Sequence, residues 1–292
     1  MIVNLPPFSA DSIGFASLAA GSILVAWSPW RRAFLPWMVA ASAFFLATWL
    51  DVWATGFLFA FLTPPYFAIR RLWGNDRISA FWPIAGLVIW QVCLFVVVKG
   101  YAGLESLQFW NHPVTIIGFS YLLFRQLHLI IEAVNYGALP LTLTRYLVYS
   151  LSFWTLLAGP IQRYPAFCEG LENIGRPELN AVLAALHRGI NGALKAFLIA
   201  PIFLQPANIG YLAEADATVL DAAVVLYAFP VYLYLNFSGY TDLVIALARL
   251  CGMTTLPENF NKPYLARNIQ DLWGRWHLSF SHWIRDYIFM PL

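Results

Sequence analysis

The chain has 292 residues, of which 60% are hydrophobic, 17% are aromatic and 11% are charged, and its formal net charge is +2. An ordinary soluble domain carries about 25% charged residues, so this composition excludes a water-soluble globular protein and predicts an integral protein of the lipid bilayer. The small net charge and the lack of a basic run exclude a nucleic-acid partner. Cys93, Cys168 and Cys251 lie far apart, which favours idle or buried thiols over a metal site or a disulfide.

Apolar windows of about 17–25 residues mark the candidate membrane-spanning helices. Seven such windows follow one another along the chain: 12–29, 33–50, 52–69, 80–99, 113–133, 181–205 and 218–236. We therefore expect an all-α bundle of about seven spans, which forms a transmembrane region over residues 1–253. A further apolar run at 241–251 follows Phe237-Ser238-Gly239-Tyr240, where the last long helix is expected to break or bend.

Positive charge predicts the orientation of these spans. Arginines follow the first span, the third span and the last long helix: Arg31, Arg32, Arg70, Arg71, Arg77 and Arg249. The loop 206–217 carries the acidic Glu214 and Asp216 and no basic residue. This pattern places the N-terminus outside the cell and segment 249–286 on the cytoplasmic side.

One of the apolar runs is expected to enter and leave the membrane from the same side. Loops 100–112 and 162–180 are predicted on opposite sides, yet two apolar runs separate them, where an odd number of crossings is needed. We assign the re-entrant role to 146–161, which ends in Gly159-Pro160. Irregular backbone at membrane depth is tolerated only inside protein or along a watery cavity, so this assignment favours a fold with a cavity.

Ionisable residues also occur inside the predicted spans. His128 and Glu132 are four residues apart and share a helix face, as do Arg188 and Lys195, which are seven apart. A charge in lipid costs at least about 2.5 kcal/mol, so such groups normally face the interior of the protein. We expect His128 and Glu132 to face a cavity or to make structural hydrogen bonds. For Arg188 and Lys195, snorkelling to the interface is an equal alternative.

The composition changes after the last long helix. Pro257 and Pro263 predict a loop over 254–264, and the apolar spacing beyond it predicts an interfacial amphipathic helix over 266–288. On this helix His277 falls inside the apolar stripe, where a core histidine and a functional histidine are equally open interpretations. His282 falls on the polar face and is interpreted as a solvated surface residue. Residues 254–292 therefore form a cytoplasmic-side loop and helix.

Two stretches carry a resemblance: NFSGYTDLVIALARL at 236–250 and LPENFNKPYLARNIQDLWGRWHLSFSHWIRDYIFMPL at 256–292. They resemble the signature region of the membrane-bound O-acyltransferase family. Within it they are most similar to the bacterial branch that includes the alginate O-acetyltransferase membrane subunit and the D-alanyl transfer protein of teichoic acids. The stretch LLAGPIQRYPAF, which ends at Phe167, is similar to another part of that branch.

The resemblance implies a ring of helices around a central chamber in the bacterial inner membrane. It implies transfer of a small acyl group, acetyl in the simplest case, to hydroxyls of an exported polysaccharide or cell-envelope polymer. The implied donor is acetyl-CoA or the thioester of an acyl carrier protein, with accessory acylation proteins as partners. No bound cofactor and no metal are implied.

The resemblance also implies the site residues. The family's Arg-Trp-His stretch is matched by Arg275, Trp276 and His277, with His277 as the catalytic candidate. Implied supporting residues are Asn259, Asn261 and Asp286. The family's second histidine, the base in a Trp-His-Gly motif, has no counterpart here, because Trp276-His277 is the one Trp-His pair and is followed by leucine.

We therefore expect this chain to be the front portion of a longer acyltransferase and to turn over little by itself. The alternatives are a catalytically inactive membrane partner of an acylation system and, with less support, a transporter.

Overall fold

The computed structural model of the chain describes residues 12–48, 50–72, 81–99, 118–136, 141–213 and 218–290. Regular structure in these ranges is helical, apart from one isolated β-bridge. The α-helices follow in this order: α1 Ser12–Trp27, α2 Phe34–Ala47, α3 Val52–Leu72, α4 Phe81–Lys99, α5 Phe119–Tyr136, α6 Leu143–Leu151, α7 Phe153–Leu156, α8 Tyr164–Glu172, α9 Leu179–Ala193, α10 Ala200–Leu204, α11 Val219–Leu250, α12 Ile269–Trp273 and α13 Leu278–Ile284. Two π-helical turns extend the series, Leu194–Ile199 between α9 and α10 and Arg285–Phe289 after α13.

Several of these helices have the dimensions of membrane spans. Within the described ranges, four stretches are long and apolar enough to cross a bilayer: Val52–Arg71, Trp82–Lys99, Leu179–Leu204 and Val219–Leu250. The apolar α1 is shorter, with 16 residues, and α5 has 18 residues but carries four polar side chains in its centre. The prediction of an all-α, multi-span membrane protein is confirmed. The number of about seven spans and the ring around a chamber stay predictions.

The last long helix, α11, runs for 32 residues without a break, so the break expected at 237–240 is wrong. Gly239 lies where α11 packs against α9: a Cβ at this position would lie 2.7 Å from the carbonyl oxygen of Gly192. The missing side chain therefore allows the two helix backbones to approach closely, which is the usual role of small residues at helix contacts in membranes. Gly239 is therefore a helix-packing residue and not a helix break.

The segment expected to be re-entrant, 146–161, holds two short helices. The nine-residue α6 ends at Leu151, and the four-residue α7 begins at Phe153. Ser152 between them has φ −47° and ψ 114°, which interrupts the helix. The buried guanidinium of Arg125 on α5 donates hydrogen bonds of 2.9–3.0 Å to the carbonyls of Tyr149, Ser150 and Thr155. Arg125 therefore satisfies backbone groups that the interrupted helix leaves unpaired. Neither helix is long enough to span a bilayer.

The single amphipathic helix expected over 266–288 is wrong, because the structure has α12, a break, α13 and a π-helical turn. The break has two causes. Gly274 ends α12, and His277 has a left-handed backbone with φ 46°. The residues between α12 and α13 are paired with the loop that precedes α12, through a β-bridge of Phe260 with Trp276. The backbone hydrogen bonds of this stretch are thus made with a distant segment and not within a helix.

Some sequence expectations fall outside the described residues. They are the basic residue Arg77, the loop 100–112, the first residues of the window 113–133, and the acidic residues Glu214 and Asp216.

Candidate functional site

The loop after α11 lies along the stretch that precedes α13. Besides the bridge, the Asn261 amide donates a hydrogen bond of 2.9 Å to the Arg275 carbonyl, and the Leu278 amide donates one of 2.9 Å to the Asn259 carbonyl. Between these contacts His277 adopts its positive φ, which is uncommon for a residue with a side chain. Such backbone conformations persist only where the surroundings impose them, and they cluster at functional sites.

Asn259 and Ser279 connect three segments beneath His277. Asn259 is fully buried, and its Oδ1 accepts hydrogen bonds from the Ser279 hydroxyl at 2.5 Å and the Ser279 amide at 3.3 Å. The Ser279 hydroxyl in turn accepts a hydrogen bond of 3.0 Å from the Ile161 amide. The loop, α13 and the stretch after α7 are therefore joined at one point. Asn259 Nδ2 is buried and has no hydrogen-bond partner among the described residues.

The His277 ring lies among aromatic side chains from three elements. Its centroid is 4.9 Å from that of Phe237 on α11 and 5.2 Å from that of Phe280 on α13. Its Nε2 shares a hydrogen bond of 3.2 Å with the Tyr121 hydroxyl on α5, while Nδ1 is buried and makes no hydrogen bond to the described chain. Burial lowers the pKa of His277 to about 4, so the imidazole is neutral at physiological pH.

Arg275 and Trp276 hold the loop residues 259–261 against residues 275–278. Arg275 Nε donates a hydrogen bond of 2.7 Å to Asp271 Oδ1, four residues earlier, and its Nη1 donates one of 3.4 Å to the Asn261 carbonyl. The Trp276 ring packs edge-on against Phe260, with centroids 5.2 Å apart. The contacts of Asn261 given by the structure are those of its backbone with Arg275.

Asp286, Glu132 and His128 lie in a second group of contacts. Asp286 forms ion pairs with Arg163 and with Arg285, the latter at 2.7 Å. Glu132 accepts a hydrogen bond of 2.5 Å from the Tyr287 hydroxyl, and the buried His128 accepts one of 2.8 Å from the amide of Tyr164 through Nε2. His128 and Glu132 thus make the structural hydrogen bonds that the sequence analysis expects as one alternative, and a cavity beside them stays a prediction. These bonds attach α5 to the end of the chain and to α8.

Arg188 on α9 and Lys195 on the π-helical turn that follows both form ion pairs, and their snorkelling to the interface stays a prediction. Both Arg188 and Lys195 form ion pairs with Asp242 of α11, at 2.8 Å for Arg188. Arg188 also donates to both oxygens of Glu258, with Nη1 2.6 Å from Oε1, and Arg249 is 3.0 Å from the same carboxylate. Hydrogen bonds from Arg188 lower the pKa of Glu258. Glu258 precedes Asn259, so this ion-pair network reaches the loop that shapes the site.

Sequence reasoning did not single out Tyr121, Ser279 or Asp242. Tyr121 precedes His128 by seven residues, so the same helical periodicity that connected His128 to Glu132 could have found it. Asp242 is an acidic residue inside an apolar run, which is itself a signal for a buried partner. Ser279 carried no comparable signal, because its partners come from distant segments. Among the described residues, no group of three His, Cys, Asp or Glu side chains could hold a metal ion.

Comparison with known proteins gives concordant matches. The family model described as MBOAT, membrane-bound O-acyltransferase family, matches residues 131–292. A Teichoic acid D-alanyltransferase of Bacillus subtilis (strain 168) is 36% identical over 190 residues, 62% of this chain and 47% of that protein. A protein of the same name from Streptococcus thermophilus is 32% identical over 226 residues, 75% of this chain and 52% of that protein. "Probable alginate O-acetylase AlgI" of Azotobacter vinelandii is 33% identical over 184 residues, 62% of this chain and 36% of that protein. The chain thus spans about half the length of these curated relatives, or less.

Proposed function

The chain belongs to the membrane-bound O-acyltransferase family, and we propose that the protein transfers a small acyl group, most simply acetyl, to hydroxyls of an exported polysaccharide or another cell-envelope polymer. The relatives' names support this proposal, since two name D-alanyl transfer to teichoic acid and one names alginate O-acetylation. The proposed donor is a thioester, either acetyl-CoA or an acylated carrier protein. Accessory acylation proteins would present the acceptor.

The proposed location is the bacterial cytoplasmic membrane, with the N-terminus outside. Arg31 and Arg32 follow α1, and Arg70 and Arg71 form the last turn of α3. If both α2 and α3 cross the membrane, the two pairs lie on the same side. Basic residues in short loops favour the cytoplasmic side, which supports this orientation.

The observation that carries the proposal is the environment of His277. Its imidazole is neutral, enclosed by aromatic rings and held on a strained backbone, and Nδ1 has no partner within the described chain. In the proposed reaction the acceptor oxygen forms an ester bond with the acyl carbon, the carbon–sulfur bond breaks, and the hydroxyl proton ends on the leaving thiolate. A general base works best when its pKa lies near the operating pH. With a pKa of about 4, His277 is better suited to orient the reacting hydroxyl than to store its proton.

The test is ester formation in a bacterial strain that lacks its own alginate O-acetylase. One arm supplies the chain alone. The other supplies it beside a relative whose Arg-Trp-His histidine is replaced by alanine and which retains its second histidine motif. Hydroxylamine-sensitive acetyl esters on the exported polymer are measured in both arms.

We expect ester above background in at least one arm, and His277→Ala should reduce it by about 10²-fold, the order of loss when a reacting group is misplaced by about 1 Å. His282→Ala is the matched control, because His282 is exposed on α13, and it should leave the ester content unchanged. Background levels in both arms, or equal ester content with His277→Ala, would contradict the proposal.

The alternative of an inactive membrane partner predicts a different outcome. The chain would then raise the ester formed by an intact relative, and His277→Ala would raise it equally. The transporter alternative gains no support from the charges within the helices, since they are engaged in hydrogen bonds or ion pairs: Arg125 on α5, Arg188 on α9, Lys195 on the π-helical turn and Asp242 on α11.

A further inference from the structure

An apolar groove is lined by residues that the surroundings of His277 do not include. It has a volume of about 630 Å³ and runs between α1, α9 and α11. Its lining is entirely apolar and includes Ala16 and Ala20 of α1, Leu186 and Ile190 of α9, and Leu247 of α11. Leu186 and Ile190 are 46% and 61% exposed, so the groove is open along the surface of the bundle. Both α9 and α11 belong to candidate spans, so the groove runs along helices that are long and apolar enough to cross a bilayer.

A polar pocket of about 520 Å³ adjoins one end of this groove, and three arginines line it. Each groove-forming helix has one of them at that end: Arg31 follows α1, Arg176 precedes α9, and Arg249 lies in the last turn of α11. Along α9 and α11 the pocket residues come just beyond the groove residues: Ala184 precedes Ala185, and Gly252 follows Leu250. The pocket therefore lies at the end of these two helices that the groove approaches.

The charge of the pocket is positive. Glu172 is the one carboxylate among its lining residues, and Arg249 is 3.0 Å from Glu258. Arg31 and Arg176 have no carboxylate within 4.0 Å among the described residues, and the Arg176 guanidinium lies 5.3 Å above the Trp27 ring. Two guanidinium groups are thus available to an anion at the mouth of an apolar groove.

We propose that the groove and the pocket together bind one anionic phospholipid, with an acyl chain between α1, α9 and α11 and the phosphate on Arg31 and Arg176. Guanidinium groups bind phosphate through paired, charge-assisted hydrogen bonds, and basic pockets between membrane helices bind anionic head groups. Both volumes lie within the range of about 300–1,000 Å³ typical of ligand sites. An extended peptide would leave its backbone groups unpaired against the apolar walls.

This lipid site is distinct from the surroundings of His277, and its test does not depend on acyl transfer. The purified full chain is analysed by native mass spectrometry after equilibration with micelles that contain dioleoyl phosphatidylglycerol or dioleoyl phosphatidylcholine. These probes share their acyl chains and differ in head-group charge. We expect the chain to retain one phosphatidylglycerol in preference to phosphatidylcholine.

Substitution of single arginines tests the head-group contacts. Arg31→Gln and Arg176→Gln should each lower retention of phosphatidylglycerol about fivefold, the effect of one basic residue near a membrane surface. Arg31→Lys should keep most of the retention. Arg32→Gln is the matched control, because Arg32 is an exposed neighbour that does not line the pocket, and it should change nothing. Equal retention of both lipids, or equal effects of Arg31→Gln and Arg32→Gln, would overturn the proposal.

A second pair of variants tests the groove. Ala20→Trp places a large ring in it and should lower retention of both lipids, whereas Leu24→Trp, at a position 70% exposed and outside the groove, should not. Displacement of the lipid by millimolar inorganic phosphate would identify a free-anion site and refute the acyl-chain part. A change from dimer to monomer with Ala20→Trp, without loss of lipid, would identify the groove as a contact between two copies and overturn the proposal.

Discussion

Replacement of Ser279 by alanine tests how strongly the site is held together. The substitution removes the hydroxyl that accepts from the Ile161 amide at 3.0 Å and donates to Asn259 Oδ1 at 2.5 Å. Ser279, Asn259 and Ile161 are all buried, so the amide of Ile161 is left without an acceptor. An unsatisfied buried group costs about 1–3 kcal/mol, and a lost hydrogen bond about 1 kcal/mol. We therefore expect Ser279→Ala to lower the free energy of unfolding by about 2–4 kcal/mol.

The assay is an SDS titration of the purified chain in mixed micelles, followed by tryptophan fluorescence. Ser281→Ala is the matched control: the Ser281 hydroxyl donates one hydrogen bond of 3.2 Å to the Trp276 carbonyl and is only partly buried. The control should lose about 1 kcal/mol or less. A loss for Ser279→Ala that is no larger than the control's would show that Asn259 and Ser279 do not hold the loop against α13, and the reasoning would fail.

Three further predictions concern packing and pH. Gly239→Ala should lower the free energy of unfolding by about 1–3 kcal/mol, because its Cβ would lie 2.7 Å from backbone atoms of α9 and the π-helical turn. Gly86→Ala is the control: its Cβ would meet nothing within 4 Å, and it should not destabilise the chain. Burial lowers the pKa of His277 to about 4, so the unfolded chain binds more protons than the folded chain between about pH 6.5 and 4. The free energy of unfolding should therefore fall as the pH drops through that range. The fall should be smaller in His277→Gln. Arg188 lowers the pKa of Glu258, so the stability that this pair contributes should be present above about pH 4.3 and lost below it, a loss that Glu258→Gln should lack. The same titration, repeated over pH, measures all three, and equal pH profiles for wild type and variants would contradict the last two.

The features that local sequence predicts well are those fixed by composition and length. The long apolar windows became α3, α4, the stretch from α9 to α10, and α11, because a helix is the structure that pairs its backbone groups within one lipid-exposed segment. The ion pair of Asp271 with Arg275 is also a local feature, because residues four apart lie close together on a helix.

The features that failed depend on contacts between distant segments. The helix expected over 266–288 is interrupted because residues 259–261 pair with 275–278, and helical periodicity contains no information about that pairing. The break expected at Gly239 is absent because α9 packs closely against α11 there. The sequence alone does not distinguish a glycine that ends a helix from one that allows a close contact between two helices. Likewise the partner of Arg188 and Lys195 is Asp242, about fifty residues away.

We propose above that the acyl donor binds beside His277, where the acceptor hydroxyl is oriented. The most direct measurement is photo-crosslinking of the chain in membranes with a non-hydrolysable thioether analogue of acyl-CoA that carries a diazirine in its acyl chain, followed by peptide mapping. We expect the label on residues around His277, on Tyr121 or Phe280. We also expect excess acetyl-CoA to displace it. Label confined to other parts of the chain, or label that excess acetyl-CoA does not displace, would contradict this proposal.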